Sequence, residues 1–110
     1  MSQRIKRVNE LLKHEISQLI LREIDFPDIL VTITDIDTSA DLRHTKVKIS
    51  ALPQDKNELA IEIINQNIFR IQQKLNKKLH MKPIPKIRFE IDQVEIKAQR
   101  IEELLSKNKS

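Results

Sequence analysis

The chain has 110 residues, which is enough for one ordinary domain and too few for two. It contains no cysteine and no glycine, so disulfides, thiolate zinc sites, cysteine nucleophiles and the usual glycine-rich phosphate loops are excluded. Its formal net charge of +4 favours a polyanionic partner, nucleic acid first. The sequence shows neither a membrane-spanning run nor a signal peptide, and we expect a cytoplasmic protein.

The first predicted element is a long amphipathic helix over residues 3–24. Its apolar residues recur at helical spacing: Ile5, Val8, Leu12, Ile16, Leu19 and Ile20. Its first turns carry the cations Arg4, Lys6, Arg7 and Lys13, although the helix dipole disfavours positive charge there. We interpret this unfavourable placement as a sign that these cations serve in binding.

Two strands are predicted next, over residues 30–37 and 45–51. Ile36 falls out of the alternation of the first strand, which predicts a bulge or sharp twist near Thr34 and Asp35. The second strand alternates cleanly, with Val47, Ile49 and Ala51 directed inward and Lys46, Lys48 and Ser50 directed outward.

The stretch over residues 59–79 is predicted to form two helices with a joint at Asn65-Gln66-Asn67. On a helical wheel, the apolar residues after this polar triplet centre roughly 70° further round than those before it. The earlier set is Leu59, Ala60, Ile61, Ile63 and Ile64, and the later set is Ile68, Ile71, Leu75 and Leu79. A single straight helix would bury two stripes that do not align, whereas a break lets both stripes face one core.

A third strand is predicted over residues 86–92, with Ile87, Phe89 and Ile91 directed inward. Each strand offers one apolar row, so we expect an α+β domain whose three-stranded sheet is covered by helices on one face. A short, weakly packed terminal helix is expected to follow, with Ile96, Ala98, Ile101, Leu104 and Leu105 as its apolar residues. We expect residues 1–106 to form the single domain and residues 107–110 to be a frayed polar tail.

The second of the jointed helices carries a cationic face opposite its apolar stripe. This face consists of Arg70, Lys74, Lys77 and Lys78, and Lys82 follows just beyond it. No acidic residue lies between Arg70 and Glu90, so these charges lack partners nearby in the sequence. Two interpretations remain open: a solvated helix face, or a track for a phosphate backbone. Because only 3% of the residues are aromatic, recognition of backbone and shape would dominate over base stacking.

No constellation of residues indicates catalysis, a metal or a cofactor. The histidines His14, His44 and His80 are scattered without ligand or triad spacing, and no paired carboxylates or serine elbow stand out. The acidic turn before residue 42 resembles a calcium loop, but Ala40 stands where glycine is needed and Lys46 where the bidentate glutamate is needed. We therefore expect a protein that is not an enzyme and that has no cofactor and no metal.

Four segments resemble the ribosome-binding factor A family, in order, over nearly the whole chain. They are RIKRVNELLKHEIS, TITDIDTSADLRHTKVKIS, NIFRIQQKLNKKL and PIPKIRFEID, and the Ser-x-Asp-Leu-Arg turn in the second is the most specific part. The resemblance implies a KH-type (type II-like) domain in the order helix-strand-strand-helix-kink-helix-strand. It further implies a bacterial assembly factor that binds the immature small ribosomal subunit and its ribosomal RNA, promotes RNA maturation and supports growth in the cold. We expect a monomer when the protein is free.

KH domains hold the RNA backbone with a Gly-x-x-Gly loop. The resemblance to this family implies that an interhelical Ala-x-Gly kink replaces that loop. The matching positions here are Asn65-Gln66-Asn67, so Asn67 is expected to take the backbone role of the glycine, and the Asn amides to donate to phosphate or sugar oxygens. The predicted RNA-binding residues are therefore Arg4, Lys6, Arg7, Asn65, Asn67, Arg70, Lys74, Lys77, Lys78 and Lys82. The alternative function is a basic adaptor that binds an acidic protein independently of RNA.

Overall fold

Alternating apolar residues in three short segments build the sheet of this domain. The computed structural model describes residues 3–94 and Leu105. In chain order its elements are α1 (Gln3–Glu23), β1 (Leu30–Thr38), β2 (His44–Leu52), a 3₁₀ turn (Gln54–Lys56), α2 (Asn57–Gln66), α3 (Ile68–Lys78) and β3 (Lys86–Ile91). The predicted α+β class and order of elements are confirmed. The ends of α1 and of the three strands lie within one residue of the predicted ends.

The central strand of this mixed sheet is β2. It pairs antiparallel with β1 on one side and parallel with β3 on the other. The β1–β2 register shifts between Ile33 and Asp35, so the predicted bulge is confirmed and Thr34 is the extra residue. The Thr34 hydroxyl donates to the carboxylate of Asp92, directly after β3, and this bond connects the bulge to the far strand of the sheet.

All three helices pack on one face of the sheet, around a single large apolar cluster. The strands contribute Ile33, Ile36, Val47, Ile49, Ile87 and Phe89, and the helices contribute Leu12, Ile16, Leu19, Ile20, Ile64, Ile71 and Leu75. Burial of one such side chain contributes about 1.5–3 kcal/mol, so this cluster is the main source of stability. The other face of the sheet presents Lys46, Lys48 and Arg88, none of which is buried. The prediction of helices on one face is confirmed.

The turn between β1 and β2 is closed by side-chain oxygens. Ser39 Oγ donates to Asp41 Oδ1 (2.6 Å), which also accepts from the backbone N–H of Arg43 (3.1 Å). Both bonds lower the pKa of the Asp41 carboxyl below its ordinary value, and the bond from the Ser39 hydroxyl has the larger effect. Leu42 has a φ of 60°, which is uncommon for a residue other than glycine, and its side chain is buried. The Ser-x-Asp-Leu-Arg motif therefore corresponds to a turn held by these contacts.

The outer edge of β3 is partly occupied by one side chain from α3. The backbone N–H of Ile87 donates to Gln72 Oε1 (2.8 Å), and Gln72 Nε2 donates to the carbonyl oxygen of Pro85 (3.1 Å). The amide of Gln72 thus pairs with one backbone donor and one backbone acceptor on the edge of β3 that faces away from β2. This pair of bonds fixes α3 beside the edge of the sheet.

Two predictions fall largely or wholly outside the described residues. The terminal helix was predicted from Ile96 to Leu105, and of its apolar residues only Leu105 is described, with an exposed side chain. The polar tail over residues 107–110 also lies outside the described part of the chain. The terminal helix, the tail and the boundary of the domain at residue 106 stay predictions.

Candidate nucleic-acid interface

The joint between α2 and α3 lies where the apolar periodicity placed it. α2 ends at Gln66, α3 begins at Ile68, and Asn67 between them has φ −110° and ψ 3°. Its backbone N–H donates to the carbonyl oxygen of Ile64 (2.9 Å), which tightens the last turn of α2. Its side-chain amide Nδ2 donates to the carbonyl oxygen of Ile63 (2.8 Å). Asn67 thus satisfies two acceptors at the end of α2 that the helix itself leaves open.

Arg70 connects this joint to the end of α1. Its Nη2 donates to Asn67 Oδ1 (2.9 Å) and to the backbone carbonyl oxygen of Glu23 (2.7 Å). The second acceptor is one of the last carbonyl groups of α1, where positive charge is favourable. Both Asn67 and Arg70 were predicted to bind RNA. In the structure, both side chains form hydrogen bonds with other groups of the protein. Asn65, the other predicted amide, is exposed.

Two carboxylates of α1 pair with the cationic face of α3. Lys74 Nζ lies 2.7 Å from Glu23 Oε1, and Lys78 Nζ lies 2.8 Å from Glu15 Oε2. We call these two ion pairs, together with the bond from Arg70 to the Glu23 carbonyl, the α1–α3 seam. Lys74 and Lys78 have no acidic neighbour in the sequence, as predicted, but the fold supplies each of them with a distant partner. Their partners are more than fifty residues away along the chain, and only the antiparallel packing of α1 against α3 brings them together.

The seam stabilises the ionised form of both carboxylates. The hydrogen bond from Lys74 is the largest cause of a lowered pKa at Glu23, and the hydrogen bond from Lys78 is the largest cause at Glu15. The positive charges of the same lysines lower the pKa of each carboxyl further, against a partial desolvation that raises it. The lysine side chains keep 46% and 36% of their surface exposed, for Lys74 and Lys78 respectively, so both remain accessible to a ligand.

This seam predicts a loss of stability in acid. Because the folded-state pKa values of Glu15 and Glu23 lie below the ordinary value of 4.5, their contribution is fully present above pH 4.5 and is lost as the pH falls below it. We expect the E15Q/E23Q variant to show a flatter decline in the free energy of unfolding over this range, measured by urea denaturation. The lowered pKa of Asp41 depends on Ser39 and Arg43, which the substitutions leave in place, so both proteins keep that contribution. Identical pH dependence in the two proteins would contradict the prediction.

The cations in the first turns of α1 lie far from the joint. Arg4, Lys6 and Arg7 are exposed. Arg7 precedes Glu23 by 16 residues, which is about 24 Å along a helix at about 1.5 Å per residue. Since Glu15 lies beside Lys78, the first turns of α1 extend beyond the C-terminal end of α3. These cations therefore lie past the C-terminal end of α3 and are separated from Arg70.

Two predicted cations on α3 and in the connection after it take no part in the seam. Lys77 and Lys82 are exposed, and neither forms an ion pair within residues 3–94. Lys77 shares the cationic face of α3 with Arg70, Lys74 and Lys78 but takes no part in their contacts with α1. Lys82 follows in the connection to β3. These two lysines offer unpaired positive charge to a ligand.

A second basic surface, absent from the predicted site, lies on the open face of the sheet. We call it the open-face cluster, and it consists of His44, Lys46, Lys86 and Arg88. The parallel pairing of β2 and β3 places His44 beside Lys86 and Lys46 beside Arg88. These side chains line one part of a cavity of about 590 Å³, and Thr45, Ile68 and Ile87 on the helix-covered side line another part. The outward positions of Lys46 and of β3 were readable from the alternation, but the pairing of the two strands was not.

One aromatic ring is also exposed at the joint. Phe69, the second residue of α3, keeps 73% of its surface accessible, whereas Phe89 is buried in the core. The expectation that almost no aromatic residue is available for stacking has this exception. The exposure of Phe69 follows from its position on α3, because the apolar stripe runs through Ile68, Ile71 and Leu75 instead.

The described part of the chain shows no arrangement suited to a metal or to a membrane. Among residues 3–94 and Leu105, no three histidine or acidic side chains are grouped so that they could hold a metal ion. No helix within those residues combines the length and the apolar character that crossing a bilayer requires.

Comparison with known proteins assigns the family. The sequence profile of the family Ribosome-binding factor A matches residues 4–105. The chain belongs to the ribosome-binding factor A family. The ribosome-binding factor A of Thermodesulfovibrio yellowstonii is 35% identical over 107 residues, which cover 96% of this chain and 91% of that protein.

Solved structures of the family share the fold. The crystal structure of ribosome-binding factor A from Thermus thermophilus superposes with a TM-score of 0.68 at 18% identity, covering 79% of this chain and 93% of that one. A homology model of the Thermus thermophilus protein, fitted into a cryo-EM map of a 30S–RbfA complex, gives a TM-score of 0.66 at 20% identity, covering 77% and 91%. The KH-like fold of the family is thus confirmed for this chain.

The joint departs from what resemblance to the family implied. Asn67 was expected to take the backbone role of a glycine, yet its φ of −110° lies in a region open to any residue. Positive φ occurs at Asp28 and Leu42 instead, within the described residues. In this member of the ribosome-binding factor A family, a side-chain amide closes α2 and makes left-handed backbone at the joint unnecessary.

Proposed function

We propose that this protein is a ribosome-assembly factor that binds the immature small ribosomal subunit and its ribosomal RNA in the cytoplasm. The observation that carries the proposal is membership of the ribosome-binding factor A family over residues 4–105. It is supported by the Thermus thermophilus relative, which was fitted into a map of a 30S complex. We further propose that binding promotes maturation of the ribosomal RNA and supports growth in the cold.

The RNA-binding surface of this proposal runs along α3 and past its C-terminal end. Lys77 and Lys82 carry unpaired charge, and the first turns of α1 add Arg4, Lys6 and Arg7 at the same end of the domain. Lysine and arginine in such a row neutralise backbone phosphates without reading sequence. The surface therefore suits an RNA whose shape, rather than its base sequence, is recognised.

The joint supplies the second part of the proposed surface. Asn65 is exposed and offers an amide for phosphate or sugar oxygens, and Phe69 beside it offers one face for a base to stack on. Asn67 and Arg70 hold the joint in shape, and their outer surfaces complete the contact. Lys74 and Lys78 stay in the interface because the seam leaves much of each side chain exposed.

We propose that the protein acts without catalysis, as a monomeric binding factor. The sequence lacks the glycine and cysteine chemistry of nucleotide-hydrolysing loops and thiol nucleophiles. Purified protein is expected to hydrolyse neither RNA nor nucleotide. Magnesium-dependent nucleotide hydrolysis that co-purifies with the protein and vanishes on one substitution within it would overturn this part of the proposal.

Sedimentation of a nuclease-treated lysate tests the proposal directly. The protein is expected to co-sediment with small-subunit particles in a sucrose gradient and to leave those fractions after RNase treatment. A ribosome-free protein extract serves as the control for non-specific association. If the protein instead sediments with an acidic protein partner and RNase changes nothing, it is an RNA-independent adaptor and the proposal fails.

A further inference from the structure

We propose that the outer edge of β1 binds an extended, basic segment of a partner protein, which joins the sheet as a fourth strand. The inference goes beyond the proposed function, because it assigns a protein partner to the edge of the sheet opposite the one where α3 packs. We call this edge of β1 the free edge, and it consists of the backbone groups of Val31, Ile33 and Ile36.

The alternation of hydrogen bonds in the sheet shows why these groups point outward. In an antiparallel pair, residues alternately direct both backbone groups at the partner strand and away from it. The carbonyl oxygen of Ile49 accepts from the N–H of Asp92, on the β3 side, so its register partner Ile33 directs its own groups away from β2. The same alternation along β2 directs the backbone groups of Val31 and Ile36 outward.

Nothing in the described part of the chain occupies the free edge. No hydrogen bond within residues 3–94 reaches the outward groups of β1 between Val31 and Ile36. The edge of β3 differs, because there the amide of Gln72 pairs with the N–H of Ile87 and with the carbonyl oxygen of Pro85. An unpaired row of strand donors and acceptors is what an extended peptide binds when it adds to a sheet.

Solvent reaches the free edge. Ile33 and Ile36 keep 7% and 8% of their surface exposed, although their side chains pack in the core. Their register partners on the central strand, Ile49 and Val47, keep none. This difference is expected between an edge strand, whose outward backbone groups face water, and a strand that is paired on both sides.

The chain around the free edge is acidic, although the whole protein is basic. Between Arg22 and Arg43 the sequence contains no lysine, arginine or histidine. Exposed aspartates lie before β1, on its open-face side and in the turn after it: Asp25, Asp28, Asp35, Asp37 and Asp41. None of them forms an ion pair within residues 3–94. The register partners Lys48 and Lys46 offset part of the charge of Asp35 and Asp37, and no cation stands opposite the others in the β1–β2 register.

Charge decides which occupant fits this edge. The aspartates repel an RNA backbone. A second copy of the chain would bring two acidic edges together, which like charge opposes. A segment rich in lysine or arginine gains the hydrogen bonds of the edge and places its cations beside the aspartates. Because the bulge at Thr34 increases the local twist, the added strand is short.

The free edge leaves the proposed RNA-binding surface accessible. Gln72 fixes α3 beside β3, and β1 lies at the other edge of the sheet. A basic protein segment on β1 and RNA along α3 therefore do not compete for the same groups. Through these two edges, the domain connects an RNA to a basic protein.

The probe for this site is a synthetic peptide of about ten residues that alternates lysine with valine and threonine. A neutral version carries glutamine in place of lysine, and an acidic version carries glutamate. Binding to the full-length protein is measured by NMR titration, and hydrogen exchange of the Val31, Ile33 and Ile36 amides is followed in the same samples. We expect affinity to fall in the order basic, neutral, acidic. The bound basic peptide is expected to slow exchange of these amides at least about tenfold, because each N–H gains a hydrogen bond.

Two pairs of variants separate the backbone of the edge from its charge. V31P removes an outward N–H without removing a bond to β2, and its matched control V31T keeps that N–H. V31P is expected to weaken peptide binding about tenfold, and V31T to change it less than about twofold. D35N/D37N is expected to weaken binding about threefold to fivefold and to reduce its salt dependence. The control E58Q/E62Q removes two exposed carboxylates of α2 and is expected to change neither.

Thermal unfolding checks that each variant is folded, and D35N/D37N with the amide readout decides the question if V31P does not fold. The inference fails if the basic peptide does not bind at about millimolar concentration. It also fails if the peptide binds without slowing exchange of the three amides, or if folded V31P and V31T bind it equally. A dimer that sedimentation detects for the wild type and not for V31P identifies a second copy as the occupant and overturns the inference. All these outcomes leave the proposed function standing, whereas failure of the wild type to bind immature small subunits overturns that function and not this site.

Discussion

Replacement of Arg70, Lys74 and Lys77 by Gln is expected to weaken binding to immature small subunits by about tenfold or more at about 0.1 M salt. Each of these side chains is exposed, and together they follow the outer side of α3 from the joint to its end. The slope of log affinity against log salt should shrink by about 0.7 to 0.9 for each phosphate left without a cation. Filter binding or surface-immobilised particles over a series of salt concentrations measure both quantities.

The control for this variant must separate weaker phosphate binding from a loosened seam. R70Q and K74Q both remove bonds to Glu23, so the triple variant also weakens the packing of α1 on α3. E15Q/E23Q breaks the ion pairs of the same seam while leaving every cation in place. We expect it to bind as tightly as the wild type or more tightly, because Lys74 and Lys78 become available to phosphate. If E15Q/E23Q reproduces the loss of affinity, the cations of α3 act through packing and the assignment of the site is wrong.

Leu75→Ala is expected to lower the free energy of unfolding by about 3–5 kcal/mol. Leu75 is 0% exposed and packs in the main core cluster between α3 and the sheet. Truncation removes apolar burial and leaves a cavity that its close-packed neighbours cannot fill. A domain of this size has a stability of roughly 5–15 kcal/mol, so the variant loses a large fraction of it.

Leu21→Ala is the matched control, since it makes the same chemical change on a helix. The Leu21 side chain is 80% exposed, and its truncation should change stability by no more than about 0.5 kcal/mol. Urea denaturation measures the free energy of unfolding of both variants, and their m-values are compared as a check. Equal losses for the two variants would show that Leu75 is not part of the core that the structure describes.

The candidate site was only partly predictable, and the failures have a common cause. The cationic residues of α3 could be found because helical periodicity places Lys74, Lys77 and Lys78 opposite the apolar stripe. Their partners could not, because Glu15 and Glu23 belong to a different helix and no local spacing reveals which helix packs alongside. A search limited to neighbours in the sequence therefore overstates the free charge of a helix face.

The open-face cluster was missed for a similar reason. Lys46 and Arg88 each point outward on strands that were predicted correctly, but a parallel pair joins segments forty residues apart. Which strand lies beside β2, and in what register, depends on how the intervening helices cover the sheet. The density of positive charge on that face exists only after the strands have paired.

What the sequence by itself determined are the features that depend on neighbours within one or two turns. The 3.6-residue and two-residue periods set the helices and strands, the offset between two apolar stripes set the joint, and one misplaced apolar residue set the bulge at Thr34. The tertiary structure alone decided which charges are paired, which face of the sheet stays open, and how Asn67 closes α2 without left-handed backbone. Local periodicity reports the direction in which a side chain points. Pairing and burial depend on what another segment places opposite it.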